Sequence, residues 1–178
     1  MLIGPRGSGK STLAPLLAER LGWPWLDLDT EIQQLAGRTI AEIFATQGIE
    51  GFRNLEAAQL ATLLNRSTSA ATPRVLAAGG GIVLQEANRE LLRRAALVVY
   101  LQADAETLWK RIASDPRSAA ERPALTALAG QGEIAQLLAE RAPLYEATAD
   151  LIVNTAAASP AALAHELYER LSTWTCST

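Results

Sequence analysis

Short apolar runs alternate along this chain with longer stretches of helical spacing. The runs are Met1–Ile3, Trp25–Leu28, Val75–Ala78, Leu97–Leu101 and Leu151–Val153. Between them lie Leu13–Leu21, Ile49–Leu64, Ala87–Arg94, Ala105–Ile112, Glu133–Glu146 and Pro160–Leu171. The last of these carries Leu163, Leu167 and Leu171 four residues apart, a helical stripe. Five strands separated by helices predict an α/β fold with a doubly wound parallel sheet. Two segments interrupt the alternation. Arg66–Pro73, rich in Ser, Thr and Ala, reads as a surface connection. Ser114–Pro123 places Asp115, Arg117, Glu121 and Arg122 around two prolines, and reads as solvated filler or as a mobile lid.

A length of 178 residues suits a single domain spanning 1–178. Apolar types make up 49% and charged types 20%, which excludes a disordered chain. The net charge of −3 offers no electrostatic case for nucleic acid or for an anionic membrane surface. No stretch approaches the roughly 20 uncharged apolar residues of a membrane span. The glycine-rich motif follows Met1 so closely that no signal peptide fits, and a cytoplasmic protein is expected. One cysteine and one histidine exclude an intrachain disulfide and a Cys/His zinc site. His165 is expected on the exposed side of the last helix; Trp109 reads as a packing residue, and Trp23 and Trp25 read as packing residues with a minor role in a site wall beside Asp27 as the alternative.

Gly4-Pro5-Arg6-Gly7-Ser8-Gly9-Lys10-Ser11 fits the phosphate-loop pattern G-x-x-x-x-G-K-[ST], with an apolar run before it and a helix after it. Glycines let successive backbone N–H groups converge on phosphate oxygens. The helix that begins near Lys10 adds its positive dipole end. Gly7, Ser8, Gly9, Lys10, Ser11 and Thr12 are therefore candidate nucleotide contacts, with Lys10 on the β- and γ-phosphates and the Ser11 hydroxyl on Mg²⁺. The strand before this loop is short, with only Met1, Leu2 and Ile3 to form it.

Trp25-Leu26-Asp27-Leu28-Asp29 alternates, so an extended conformation puts Asp27 and Asp29 on one side. At the carboxyl end of a parallel strand they occupy the ligand edge of a doubly wound sheet. One acid suits a water-bridged Mg²⁺ contact and the other suits proton acceptance from a hydroxyl nucleophile. The plainer alternative is that Asp29 caps a helix starting at Thr30 and Asp27 is solvated.

Four further motifs follow in order: Asp27-x-Asp29, Gly51-Phe52-Arg53-Asn54-Leu55-Glu56, Gly79-Gly80-Gly81 and Arg141-Ala142-Pro143-Leu144-Tyr145. Together with the phosphate loop, this series resembles the shikimate kinases from Leu2 to about Leu171. The resemblance implies a three-layer fold like that of nucleoside monophosphate kinases. Its five-stranded parallel sheet, in order 2-3-1-4-5, is flanked by helices. A lid at about 114–124 and substrate-binding helices at about 30–65 complete it. It implies transfer of the γ-phosphoryl of ATP to the 3-hydroxyl of shikimate in aromatic amino acid (chorismate) biosynthesis, with ATP and Mg²⁺ required and a monomer expected.

The resemblance also assigns roles. Asp29 holds ring hydroxyls and acts as, or assists, the base. Asp27 supports the Mg²⁺ water shell with Ser11. Arg53 and Arg141 grip the substrate carboxylate, and Glu56 orients Arg53. The backbone at Gly79, Gly80 and Gly81 approaches the substrate. Arg122 matches the lid arginine that neutralises the moving phosphoryl, and Arg111 and Pro160 flank the adenine. A carboxylate calls for arginine because the planar guanidinium binds it bidentately. Rival readings are another carboxylate or polyol kinase on the same scaffold, such as a gluconate kinase, and a ligand-sensing domain that has lost turnover. Nucleoside monophosphate kinase fits less well, because Gly79–Gly81 stands where that family's phosphate anchor is expected. Taken singly, Arg53 and Glu56 also fit an ordinary surface ion pair.

Overall fold

The computed structural model describes residues 1–65, 73–115 and 130–174. Five strands, β1 (Leu2–Ile3), β2 (Trp25–Asp27), β3 (Val75–Ala77), β4 (Val99–Gln102) and β5 (Leu151–Asn154), pair in the order β2-β3-β1-β4-β5. Every pairing is parallel. The helices are α1 (Lys10–Leu21), α2 (Leu28–Ala36), α3 (Ile40–Asn65), α4 (Glu86–Ala95), α5 (Ala105–Ser114), α6 (Gln131–Thr148) and α7 (Pro160–Trp174).

The strand residues sort by the two-residue period into two cores. Leu2, Val75, Ala77, Val99, Leu101 and Val153 face α1 and α7, where Leu13, Leu17, Leu163 and Leu167 meet them. Ile3, Leu76, Ala78 and Tyr100 face the other way, toward Leu28 and Ile32 of α2, Leu60 of α3 and Leu92 of α4. This gives the expected three layers, with helices on both faces of a sheet whose central strands are buried on both sides. Two residues suffice for β1 because both are buried and the strand is paired on both flanks.

Caps decide where the helices start. Thr39 and Glu42 form a reciprocal capping box that opens α3 at Ile40, nine residues before the apolar periodicity alone suggests. α3 is then broken at Gly48, whose φ of 70° interrupts the helical backbone. Asp104 caps α5 through the Thr107 amide at 2.7 Å. His165 is exposed on α7, as expected. Among the described residues no helix is long and apolar enough to cross a membrane.

Candidate active site

The functional elements gather along the carboxyl edge of the sheet, where strand order reverses around β1. The loop from β1 to α1 turns on three glycines of positive φ: Gly4 at 145°, Gly7 at 81° and Gly9 at 90°. A side chain is also blocked sterically at two of them. A Cβ on Gly4 would lie 2.6 Å from the Leu101 carbonyl, and one on Gly7 would lie 2.9 Å from that of Leu108. Inside this turn the Lys10 ammonium donates to the Gly4 and Pro5 carbonyls, at 2.8 and 2.7 Å, and to the Ser8 hydroxyl at 3.2 Å. Ser11 donates to Asp27 Oδ2 at 2.6 Å. Arg111 joins the loop to the end of β5, donating to the Gly7 carbonyl at 3.4 Å and to the Thr155 carbonyl at 2.7 Å. Gly7, Ser8, Gly9, Lys10, Ser11, Asp27, Arg111 and Thr155, with Thr12 and Pro160, line an open cleft of about 800 Å³.

Asp27 and Asp29 do not share one extended strand. Asp27 ends β2, and its Oδ1 accepts from the amides of Asp29 and Thr30 at 3.0 and 3.4 Å. The cap of α2 is therefore Asp27, and the helix begins at Leu28 rather than Thr30. Winding into the first helical turn sends Asp29 inward, where it is buried.

Asp29 also lines a second cavity of about 400 Å³. Its polar wall holds Arg53, Glu56, Arg141 and the Gly79–Gly81 turn, and its apolar wall includes Phe44, Phe52, Trp109 and Leu137. Gly79 is squeezed between acids: a Cβ there would fall 2.8 Å from both Asp29 Oδ1 and Glu56 Oε1. A Cβ on Gly81 would overlap the Arg53 guanidinium. The Gly80 carbonyl accepts from Arg141 Nη1 at 3.3 Å and from the Tyr145 hydroxyl in a short hydrogen bond. Tyr145 is buried and stacks on Tyr100 with ring centroids 5.0 Å apart. Arg53 Nη1 meets Glu56 Oε2 at 2.5 Å, and its guanidinium carbon lies 5.2 Å from the centre of the Phe52 ring.

Burial shapes the charges here. Desolvation raises the Glu56 carboxyl above its ordinary value, while the Arg53 and Arg141 charges oppose the rise. Desolvation likewise raises the Tyr145 phenol far above the usual range, so this hydroxyl remains a donor at neutral pH. Both arginines line the cavity, and their buried Nε atoms have no hydrogen-bond partner among the described residues. The cavity thus pairs two guanidinium forks with buried carboxylates and a flat apolar wall. That arrangement suits a small, hydroxylated ring bearing a carboxylate.

Most of the residues singled out from sequence converge. Gly7 to Thr12, Asp27, Arg111 and Pro160 lie on the cleft, and Arg53, Glu56, Gly79–Gly81 and Arg141 lie on the cavity. Arg122, Arg117, most of the lid segment and Cys176 fall outside the described residues. Two tryptophans border the site, Trp25 by the wall role left open for it and Trp109 against the packing expected of it. Trp25 is 42% exposed and lines the cleft, and Trp109 lines the cavity beside Gly130. Tyr145 and Arg6 were given no role by the sequence. Tyr145 stands in the Arg141-to-Tyr145 motif, four residues from Arg141 on one helix face, which is the signal that points to it.

A glycine-rich turn of phosphate-loop sequence that opens beside an acid-lined cavity, on a 2-3-1-4-5 sheet, has the architecture of a P-loop kinase. Comparison with known proteins narrows this class. The family model described as shikimate kinase matches residues 6–172. A shikimate kinase of Rhodopirellula baltica is 43% identical over 154 residues, covering 86% of this chain and 80% of its relative. One from Symbiobacterium thermophilum is 40% identical over 171 residues, covering 96% and 94%. The structure of Acinetobacter baumannii shikimate kinase in complex with shikimate superposes with a TM-score of 0.87 at 34% identity, covering 97% of this chain and 91% of that one. The chain belongs to the shikimate kinase family.

Proposed function

We propose that this chain transfers the γ-phosphoryl group of ATP to the 3-hydroxyl of shikimate, yielding shikimate 3-phosphate and ADP for aromatic amino acid (chorismate) biosynthesis. The observation that carries this reading is the position of Asp29, a buried carboxylate lining both the phosphate cleft and the arginine-bearing cavity. An acceptor hydroxyl held beside Asp29 faces a phosphoryl group held by the loop.

Phosphoryl transfer asks the protein for alignment and charge neutralisation more than covalent help. Lys10 exchanges its loop carbonyls for the β- and γ-phosphates, and the amides of Gly7 to Thr12 wrap the phosphate chain. Arg53 and Arg141 anchor the substrate carboxylate. Glu56 fixes the Arg53 fork, and Tyr145 with Arg141 pins the Gly80 turn. Asp29 orients the acceptor hydroxyl and takes its proton. Arg111 and Pro160 flank the adenine, and Arg122 is assigned to the moving phosphoryl by family resemblance.

The Ser11 hydroxyl and the Asp27 carboxylate, 2.6 Å apart, make a hard-oxygen pair that suits Mg²⁺ in company with phosphate oxygens and water. When bound there, the ion neutralises β- and γ-phosphate charge. We place the enzyme in the cytoplasm as a monomer without nucleic-acid or membrane partners, in keeping with its small-molecule substrates and its net charge of −3.

The test is coupled ADP release with MgATP and shikimate, gluconate or no acceptor. Shikimate-dependent release that disappears in Lys10→Ala is the expected result. Release with gluconate alone keeps the mechanism and overturns the substrate. Nucleotide binding without turnover on either acceptor favours a sensing domain.

A further inference from the structure

Five described residues line both the phosphate cleft and the acceptor cavity: Arg6, Asp29, Ile40, Ile112 and Asp115. Arg6 is the single cation among them. The other described basic groups of the site each line one cavity. Lys10 and Arg111 belong to the cleft, and Arg53 and Arg141 belong to the acceptor cavity. Arg6 is half-buried within the phosphate loop. Its amide nitrogen lies 3.4 Å from the point where a Cβ on Gly80 would stand, so its backbone packs against the acceptor wall. A cation at this junction is placed where negative charge is shared between nucleotide and acceptor during transfer.

We propose that Arg6 is a catalytic residue that neutralises the phosphoryl group in transit. The inference rests on the kinase reading above. In the step, the acceptor oxygen forms a bond to the γ-phosphorus while the bond from that phosphorus to the β,γ-bridging oxygen breaks. The hydroxyl proton passes to Asp29, and the electron pair of the broken bond stays on ADP. Charge on the equatorial oxygens peaks between the two cavities, beside Arg6. A fixed cation there stabilises the transition state more than either bound substrate.

Arg6→Met keeps an unbranched side chain and removes the charge, and Arg6→Lys restores a charge without the planar fork. ADP release with shikimate is measured for the parent and both variants. The expected result is a loss of about ten- to a hundredfold in kcat for Arg6→Met, with both KM values within about twofold of the parent and partial recovery in Arg6→Lys. A second readout is the affinity for MgADP with shikimate and aluminium fluoride, a mimic of the phosphoryl in flight. This affinity falls in Arg6→Met while that for MgADP alone is unchanged. A parental kcat in Arg6→Met overturns the inference. So does equal weakening of MgADP alone, which marks a damaged loop. A parent enzyme that ignores shikimate overturns the functional reading itself, and the inference falls with it.

Discussion

The two halves of the site are built by opposite means. The phosphate cleft centres on one continuous stretch, Gly4 to Thr12, and works largely through backbone: three glycines of positive φ, a helix start and one lysine. The acceptor cavity is collected from α2, α3, the turn after β3, α5 and α6, and works through side chains aimed at one another. A local backbone device tolerates little change, because its neighbours are carbonyls that cannot yield. A side-chain assembly yields gradually and loses its ligand before it loses its fold.

The largest effect is expected where the halves meet. Asp29→Asn preserves shape and removes the proposed base, so kcat should fall by about a thousandfold with little change in ATP binding. Turnover and nucleotide titration check this together, and a variant working at the parental rate would remove Asp29 from the mechanism.

A pair of glycine variants sharpens the contrast itself. Gly4→Ala sets a Cβ 2.6 Å from the Leu101 carbonyl at a φ of 145°, and should cost about 2 kcal/mol or more of stability. Gly81→Ala meets the movable end of Arg53 instead. Displacing that end loosens its pair with buried Glu56, so the melting temperature should fall, but less than in Gly4→Ala, while the shikimate KM rises about tenfold or more and the ATP KM does not. Thermal melts and steady-state kinetics on both variants decide the matter, and identical behaviour would erase the distinction.

The smallest effect concerns pH. Burial raises the Glu56 carboxyl above its ordinary value of 4.5, so the folded chain holds that proton more tightly than the unfolded chain. The stabilising contribution is present below the ordinary value and is lost as pH climbs through the raised one. Glu56→Gln should therefore flatten the melting temperature against pH over that window. An unchanged slope would mean that the Arg53 and Arg141 charges cancel the effect of burial.

The same contrast governs what was legible in the sequence. The phosphate loop could be read outright, because its function lies in a contiguous pattern. The strand positions could be read too, since the central strands β1, β3 and β4 are buried on both faces and read as continuous apolar runs. Arg53, Glu56, Gly79–Gly81 and Arg141 were legible only through family resemblance. Nothing in their spacing states that a guanidinium on α3 fills the space beside Gly81. Asp27 and Asp29 both line the cleft, but not from one extended strand. A capping side chain turned the strand into a helix one residue after Asp27, an outcome local alternation does not reveal. Trp109 was read as packing because apolar spacing along a helix does not say which apolar face borders a cavity. The Arg111 link to Thr155 spans 44 residues and is visible only in the fold.

If substrate anchoring is separable from nucleotide binding, Arg141→Ala should affect one and spare the other. Both KM values are measured in one ADP-release assay with each substrate varied in turn. The shikimate KM should rise by about ten- to a hundredfold, the loss of a charge-assisted contact, while the ATP KM stays within about twofold. Equal changes in both constants would contradict the division of this site into two independently built halves.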